Sequence, residues 1–159
     1  MTVRSAGILL YRRGAGPDVE VWIAHMGGPF WAGKDARAWS IPKGEYLSDE
    51  DPLAAARRAI AEEMGTPAPS ADYLLLGAFR QPSGKVITVF AAEAGFFAPE
   101  RIVSNTFALE WPRGSGRVHD YPEIDDAKWA GEAEARIKLV GGQLPILDAL
   151  MEHVAGTEN

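Results

Sequence analysis

The chain has 159 residues and a formal net charge of −6, a length that predicts one domain over residues 1–159 with a frayed tail over residues 155–159. Cysteine is absent, which excludes disulfides, thiolate metal sites and cysteine nucleophiles. The acidic balance argues against nucleic-acid binding. Residues 1–11 lack the long apolar stretch of a signal peptide, and no apolar run approaches the ~20 residues of a membrane span, so we expect a cytoplasmic protein without a membrane segment.

Hydrophobic patterning predicts a mixture of strands and helices. Apolar runs predict strands over residues 6–11, 19–26, 73–79 and 86–94, with a turn over residues 12–18 and a brief extended piece over residues 39–42. The clearest helix covers residues 51–64, where Asp51 is the expected N-cap, Pro52 suits the first helical position and Gly65 ends the helix. Residues 104–118 are ambiguous, residues 120–126 are expected to form an acidic loop, and residues 132–139 and 144–154 are expected to be helical. This order of elements predicts an α+β fold with a mixed β-sheet.

Carboxylates gather around the helix over residues 51–64. Glu50 precedes it, and Arg58, Glu62 and Glu63 lie off its apolar stripe. Carboxylates together with a backbone carbonyl are the hard oxygen ligands that Mg²⁺ or Mn²⁺ prefers, and a divalent ion relieves the repulsion between adjacent glutamates. The alternative is a solvated helix end in which Arg58 simply pairs with Glu62 at i,i+4.

The spacing of these residues resembles the Nudix box, G-x5-E-x7-R-E-U-x-E-E-x-G-U, in which U is aliphatic. Seven positions agree with the pattern: Gly44, Glu50, Arg58, Ile60, Glu62, Glu63 and Gly65. Thr66 replaces the last aliphatic residue, and Ala59 replaces the glutamate that follows the arginine and that serves as a base or metal ligand in members such as MutT. Residues 39–44, Trp-Ser-Ile-Pro-Lys-Gly, are also similar to the W-x-x-P-K-G motif of dinucleoside tetraphosphate hydrolases, and residues 5–13 are similar to a Nudix first strand.

The resemblance implies a Nudix α/β/α sandwich and Mg²⁺-dependent hydrolysis of a nucleoside diphosphate linked to another group. It implies that the Gly44 carbonyl, Glu62 and Glu63 bind the metal, with Glu50 supporting them directly or through water. Arg58 is expected to orient a carboxylate, with Glu62 or Glu50 as the partner, and Lys43 is expected to contact phosphate, although an exposed loop lysine is an equal alternative.

The missing box glutamate requires another carboxylate if the site is catalytic. Glu123 lies six residues before Trp129, a separation at which Nudix hydrolases often carry a loop glutamate that acts as metal ligand or base. We therefore assign Glu123 to the metal and catalytic set, with Glu110 and Glu45 as weaker alternatives. The expected partner is a small phosphorylated substrate, a nucleotide, and Phe30 and Trp31 are candidates for stacking on its base.

A second reading of the missing glutamate is also open. With Ala59 in the box, the chain is alternatively a Nudix-like protein that binds a nucleotide and hydrolyses it weakly or not at all. The sequence leaves the oligomeric state and the particular nucleotide open.

Overall fold

A mixed β-sheet lies at the centre of the protein, whose structure is a computed structural model describing residues 4–13, 18–47 and 49–157. The described residues form strands β1 (Arg4–Arg13), β2 (Val19–Met26), β3 (Trp39–Ser40), β4 (Lys43–Tyr46), β5 (Leu74–Arg80), β6 (Val86–Glu93), β7 (Thr106–Glu110), β8 (Val118–Pro122) and β9 (Ile124–Gly131). They also form helices α1 (Pro52–Met64), α2 (Glu132–Lys138) and α3 (Leu144–Thr157), with a 3₁₀ turn over Gly141–Gln143.

Seven of these strands form one sheet. Its main order is β3-β2-β1-β6-β5, and β4 pairs with β1 while β9 pairs with β2. The β1–β6 pair is parallel and the other pairs are antiparallel, so the sheet is mixed, as predicted. The remaining strands, β7 and β8, form a separate antiparallel hairpin.

The two faces of the sheet carry separate apolar cores. Alternate residues of β1 point to opposite faces, so Leu9 and Ile8 join different clusters. One cluster packs under α3, with Ile146, Leu147 and Leu150 of that helix. The other packs under α1, with Ala55, Ala56, Ile60 and Met64 of that helix. The result is a three-layered α/β/α arrangement, which confirms the predicted fold class.

Helix α1 forms where the sequence predicts it. The Asp51 carboxylate accepts a hydrogen bond from the Ala54 N–H at 3.0 Å, Pro52 is the first helical residue, and Gly65 adopts a left-handed φ of 73° at the C-terminal end. The predicted stripe is buried at Ala56, Ile60 and Met64. Leu53 is only half-buried.

Most other predicted elements occur, with shifted ends. The predicted strands and helices correspond to β1, β2, β5, β6, α2 and α3, and α3 continues to Thr157, through the region expected to be a frayed tail. Residues 14–17 of the predicted turn and residues 158–159 of the predicted tail lie outside the described residues. No helix in the described ranges is long and apolar enough to cross a membrane.

The prediction of an acidic loop over residues 120–126 is wrong. Strand β8 ends at Pro122 and β9 begins at Ile124, which leaves Glu123 as the single residue between two strands. Strand β9 forms although its sequence has no apolar run, because partners from elsewhere in the chain stabilise it. It pairs with β2 along its length, and the His25 Nδ1 of β2 lies 2.6 Å from the Asp125 carboxylate.

Candidate metal and substrate site

Arg58 connects the segment before α1 to the helix itself. Its guanidinium contacts both carboxylate oxygens of Glu50, with Nη2 at 3.3 Å from one of them, and its Nε lies 3.5 Å from the Glu62 carboxylate. Nη2 also lies 3.4 Å from the Glu45 carbonyl oxygen. The hydrogen bond to Glu50 is the main reason that the pKa of Arg58 is raised. Arg58 therefore contacts both carboxylates that the sequence offered as its partners, with the closer contact to Glu50.

Glu63 follows Glu62 in helix α1, but Glu62 is exposed and Glu63 is half-buried. Burial raises the pKa of Glu63 to about 8, and the negative charges of Glu123 and Glu62 act in the same direction. The Lys43 charge and the Lys43 N–H, which donates to Glu63 Oε1 at 3.3 Å, act in the opposite direction. A metal-free Glu63 would hold its proton at neutral pH.

Strand β4 carries Lys43 and Gly44 into the space between β1 and α1. Gly44 pairs with Ala6 of β1, and a Cβ at Gly44 would lie 3.3 Å from the Ala59 Cβ. On the other side, a Cβ at Gly7 would lie 2.8 Å from the Pro42 carbonyl oxygen, so only glycine lets residues 42–43 approach β1 this closely. Ala59 is thus buried directly against the first glycine of the box.

Glu123 is exposed, but its backbone is fixed on both sides. Its N–H donates to the Asn105 carbonyl at 2.8 Å, and its carbonyl accepts from the Gly27 N–H at 2.8 Å. The Asn105 N–H in turn donates to the Glu62 carbonyl at 2.8 Å. Two backbone hydrogen bonds therefore link the end of α1 to Glu123, and this brings Glu123 into the electrostatic environment of Glu63.

The last glycine of the box allows this approach. A Cβ at Gly65 would lie 2.6 Å from the Val103 carbonyl oxygen, and the Val103 N–H donates to the Met64 carbonyl at 3.1 Å. Residues 103–105 can therefore run along the end of α1. Sequence reasoning missed this segment, because Ser104 and Asn105 contain no motif and their role comes only from the pairing of distant parts of the chain.

The weaker alternatives to Glu123 have other partners. The Glu45 carboxylate pairs with the Lys85 ammonium at 3.0 Å. Glu110 lies in the β7–β8 hairpin, where its carboxylate accepts from the Gly114 N–H at 2.6 Å. Neither residue has a described contact with Glu63.

The donors available near the end of α1 are carboxylates and backbone carbonyls. Within the described ranges, no group of three or more His, Cys, Asp or Glu side chains is arranged so that it could hold a metal ion. Mg²⁺ does not need such a cage, since it is usually bound by one or two carboxylates, with waters and substrate phosphates completing its coordination. A carboxylate buried among other carboxylates, as Glu63 is, gains most from a nearby cation.

Sequence comparison decides the family. A sequence model of the NUDIX domain matches residues 1–150. The chain belongs to the NUDIX family. This confirms the resemblance drawn from the box and the prediction of a Nudix-type hydrolase acting on phosphoric anhydride bonds. Nudix hydrolases generally use divalent metals such as Mg²⁺. A comparison with curated proteins found no match.

Solved Nudix structures share the fold along nearly the whole chain. An Ap4A hydrolase from C. elegans, in a binary complex, is 20% identical with a TM-score of 0.64, over 98% of this chain and 99% of that one. The NUDIX domain of Shewanella oneidensis NrtR, complexed with ADP ribose, is 16% identical with a TM-score of 0.64, over 97% and 89% of the two chains. The Nudix hydrolase RenU from M. smegmatis is 23% identical with a TM-score of 0.60, over 96% and 85%.

Proposed function

We propose that this Nudix protein is a divalent-metal-dependent pyrophosphohydrolase that acts on a nucleoside diphosphate linked to another group. The observation that carries the proposal is the environment of Glu63, a half-buried carboxyl group beside Glu62 and Glu123 whose pKa is raised to about 8. Burying a carboxylate among like charges is unfavourable unless a cation compensates. The seven matching box positions support the proposal, because the resemblance to the Nudix box implies that these residues bind the metal.

In this proposal the Gly44 carbonyl, Glu62 and Glu63 hold Mg²⁺, or Mn²⁺ in its place, and Glu50 supports them through Arg58. When bound, the ion neutralises the diphosphate and acts as a Lewis acid. Arg58 keeps the Glu62 carboxylate oriented, since its guanidinium is held by Glu50.

Glu123 is proposed as the general base. Its carboxylate accepts a proton from the water that attacks phosphorus, while the phosphoric anhydride P–O bond breaks and the leaving phosphate takes the electron pair. The exposed position of Glu123 at the β8–β9 junction leaves it accessible to water and substrate. Ala59 cannot accept a proton, so another carboxylate must act as the base, and Glu123 is the one proposed here.

A dinucleoside polyphosphate is the proposed preferred substrate. The Lys43 charge acts on Glu63, so the lysine is close to the proposed metal site, where it can contact an additional phosphate. The loop that follows Gly27 is tied to Glu123 by the Gly27 N–H, and Phe30 in that loop is 54% exposed. Phe30 is a candidate surface for stacking of the nucleobase.

Charge-neutralising variants test the proposed metal ligands. Glu62→Gln and Glu63→Gln should each reduce kcat for Mg²⁺-dependent hydrolysis by at least roughly 10²-fold, since each removes a charged ligand from a hard cation. Glu152→Gln is the matched control, because Glu152 is an exposed glutamate on α3, on the opposite face of the sheet. Undiminished hydrolysis in both site variants would remove the proposed mechanism.

Nucleotide binding without turnover is the second candidate function, and the burial of Ala59 favours it. Ala59 occupies a position where the box carries a glutamate, and it packs against Gly44 with no carboxylate at that point. A solved neighbour, the NrtR NUDIX domain, binds ADP ribose. Thermal stabilisation by a nucleotide that is never hydrolysed would select this function, since a ligand stabilises by mass action.

A further inference from the structure

We propose that Ser104 is a positioning residue that holds Glu123 at the proposed metal site. The inference rests on the proposed role of Glu123 as general base. Ser104 itself neither contacts the reacting atoms nor contributes to the Nudix box. Its side chain lies instead where the end of α1, the start of β7 and the β8–β9 junction meet.

The Ser104 hydroxyl makes two hydrogen bonds at this junction. It donates to the Asn105 carbonyl oxygen at 2.6 Å and accepts from the Ile124 N–H at 3.0 Å. The same Asn105 carbonyl accepts the Glu123 N–H at 2.8 Å. Ser104 is therefore bonded to the residue after Glu123 and to the acceptor of Glu123's own N–H.

This arrangement matters because Glu123 has little else to orient it. It is the single residue between β8 and β9, and its side chain is exposed rather than packed. The region that its carboxylate can reach is therefore set by its backbone, which is held by Asn105 and Gly27 directly and by Ser104 through Ile124. Loss of the Ser104 hydroxyl leaves the Ile124 N–H without this acceptor and loosens one end of the junction.

The same series of hydrogen bonds also sets how far Glu123 lies from the end of α1 that carries Glu62. The Asn105 N–H donates to the Glu62 carbonyl at 2.8 Å, so Asn105 joins the metal-binding end of α1 to Glu123. Ser104 holds the carbonyl of this same residue. A shift of about 1 Å in a reacting group can cost on the order of 10²-fold in rate, so a modest displacement of Glu123 is measurable.

The first test compares three Ser104 variants by steady-state kinetics of Mg²⁺-dependent hydrolysis. Ser104→Ala should lower kcat roughly 10-fold with little change in KM, because the base is displaced while substrate contacts remain. Ser104→Thr keeps the hydroxyl and should restore most of the rate. If Ser104→Ala does not fold, Ser104→Cys takes its place, because cysteine fills the same space with only a weak hydrogen-bonding group and should lower kcat in the same way.

Ser115→Ala is the matched control. Ser115 lies at the tip of the β7–β8 hairpin, where its hydroxyl accepts from the Arg117 N–H at 3.1 Å, so this variant removes a serine–backbone bond away from Glu123. It should leave kcat unchanged. A Ser104→Ala protein with lowered melting temperature and unchanged kcat would show that Ser104 is only structural, and would overturn the inference.

A double-mutant cycle separates this inference from the proposed function. Glu123→Gln alone should lower kcat roughly 10²–10⁴-fold, and adding Ser104→Ala should cost nothing further, since the positioned base is already absent. Additive losses would overturn the role of Ser104 and leave Glu123 as the base. If Glu123→Gln keeps full activity while Glu63→Gln is inactive, then Glu123 is not the base and Ser104 does not position it, but the proposed metal site stands.

Discussion

In the metal-free protein, the free energy of unfolding should fall as the pH rises, and replacing Glu63 with glutamine should abolish this loss. Burial raises the pKa of Glu63 in the folded state from 4.5 to about 8, with Glu123 and Glu62 adding to the effect. The folded protein therefore holds a proton that the unfolded chain releases above pH 4.5. The contribution of Glu63 to stability is fully present below pH 4.5 and is lost progressively as the pH rises to about 8.

The magnitude follows from the difference in proton affinity. A tenfold difference in affinity is worth about 1.4 kcal/mol, so wild type should lose a few kcal/mol relative to Glu63→Gln across this range. That corresponds to a gap in melting temperature on the order of 5–10 °C for a chain of this size. Mg²⁺ at pH 8 should close the gap by stabilising wild type selectively.

The assay is chemical and thermal unfolding in EDTA from pH 5 to pH 9, for wild type, Glu63→Gln and the control Glu152→Gln. The free-energy difference between wild type and Glu63→Gln should widen with pH and level off above pH 8, whereas Glu152→Gln should follow wild type. Parallel pH profiles for wild type and Glu63→Gln would refute the reasoning, because they would show that Glu63 titrates alike in the folded and unfolded states.

Three further predictions concern neighbouring positions. Lys43→Ala should lower kcat/KM more for a dinucleoside tetraphosphate than for a nucleoside triphosphate, measured in parallel kinetics; equal losses would remove the preference assigned to Lys43. Ala59→Glu should lower the melting temperature in EDTA, since Ala59 is 3% exposed, and Mg²⁺ should raise that temperature by more than it does for the wild type, whereas the rise for Ala59→Gln should not exceed that of the wild type; equal rises for all three proteins would contradict this. Gly65→Ala should cost about 1–3 kcal/mol in urea unfolding, because Gly65 has a φ of 73° and a Cβ would meet Val103; an unchanged midpoint would contradict this.

Local sequence signals explain why helix α1 and much of the site were predictable. Asp51, Pro52 and Gly65 define the helix ends through short-range chemistry, and this fixes the register on which Arg58, Glu62 and Glu63 are presented. The family pattern then relates these positions to metal-dependent hydrolysis. The order of strands around β1 and β6 was not predictable, because a parallel pair depends on contacts between distant parts of the chain.

Glu123 shows the limit of the same reasoning. Its separation from Trp129 selected the residue, but the local sequence predicted a loop where the structure has two strands and a one-residue junction. Strand β9 depends on its pairing with β2 and on the His25–Asp125 contact, neither of which leaves a local hydrophobic pattern. The environment of Glu63 likewise depends on β4, whose Lys43 N–H reaches the Glu63 carboxylate only in the folded protein.

The most direct test of the central claim is a product-release screen on the wild-type protein. Nucleoside triphosphates, dinucleoside polyphosphates and nucleotide sugars are each incubated with Mg²⁺, Mn²⁺ or EDTA, and the cleaved products are quantified. We expect hydrolysis at a phosphoric anhydride bond of at least one nucleoside diphosphate derivative, with the highest rate for a dinucleoside polyphosphate and no hydrolysis in EDTA or by Glu63→Gln. Hydrolysis that persists in EDTA, or no hydrolysis of any substrate by a folded protein that binds nucleotide, would contradict it.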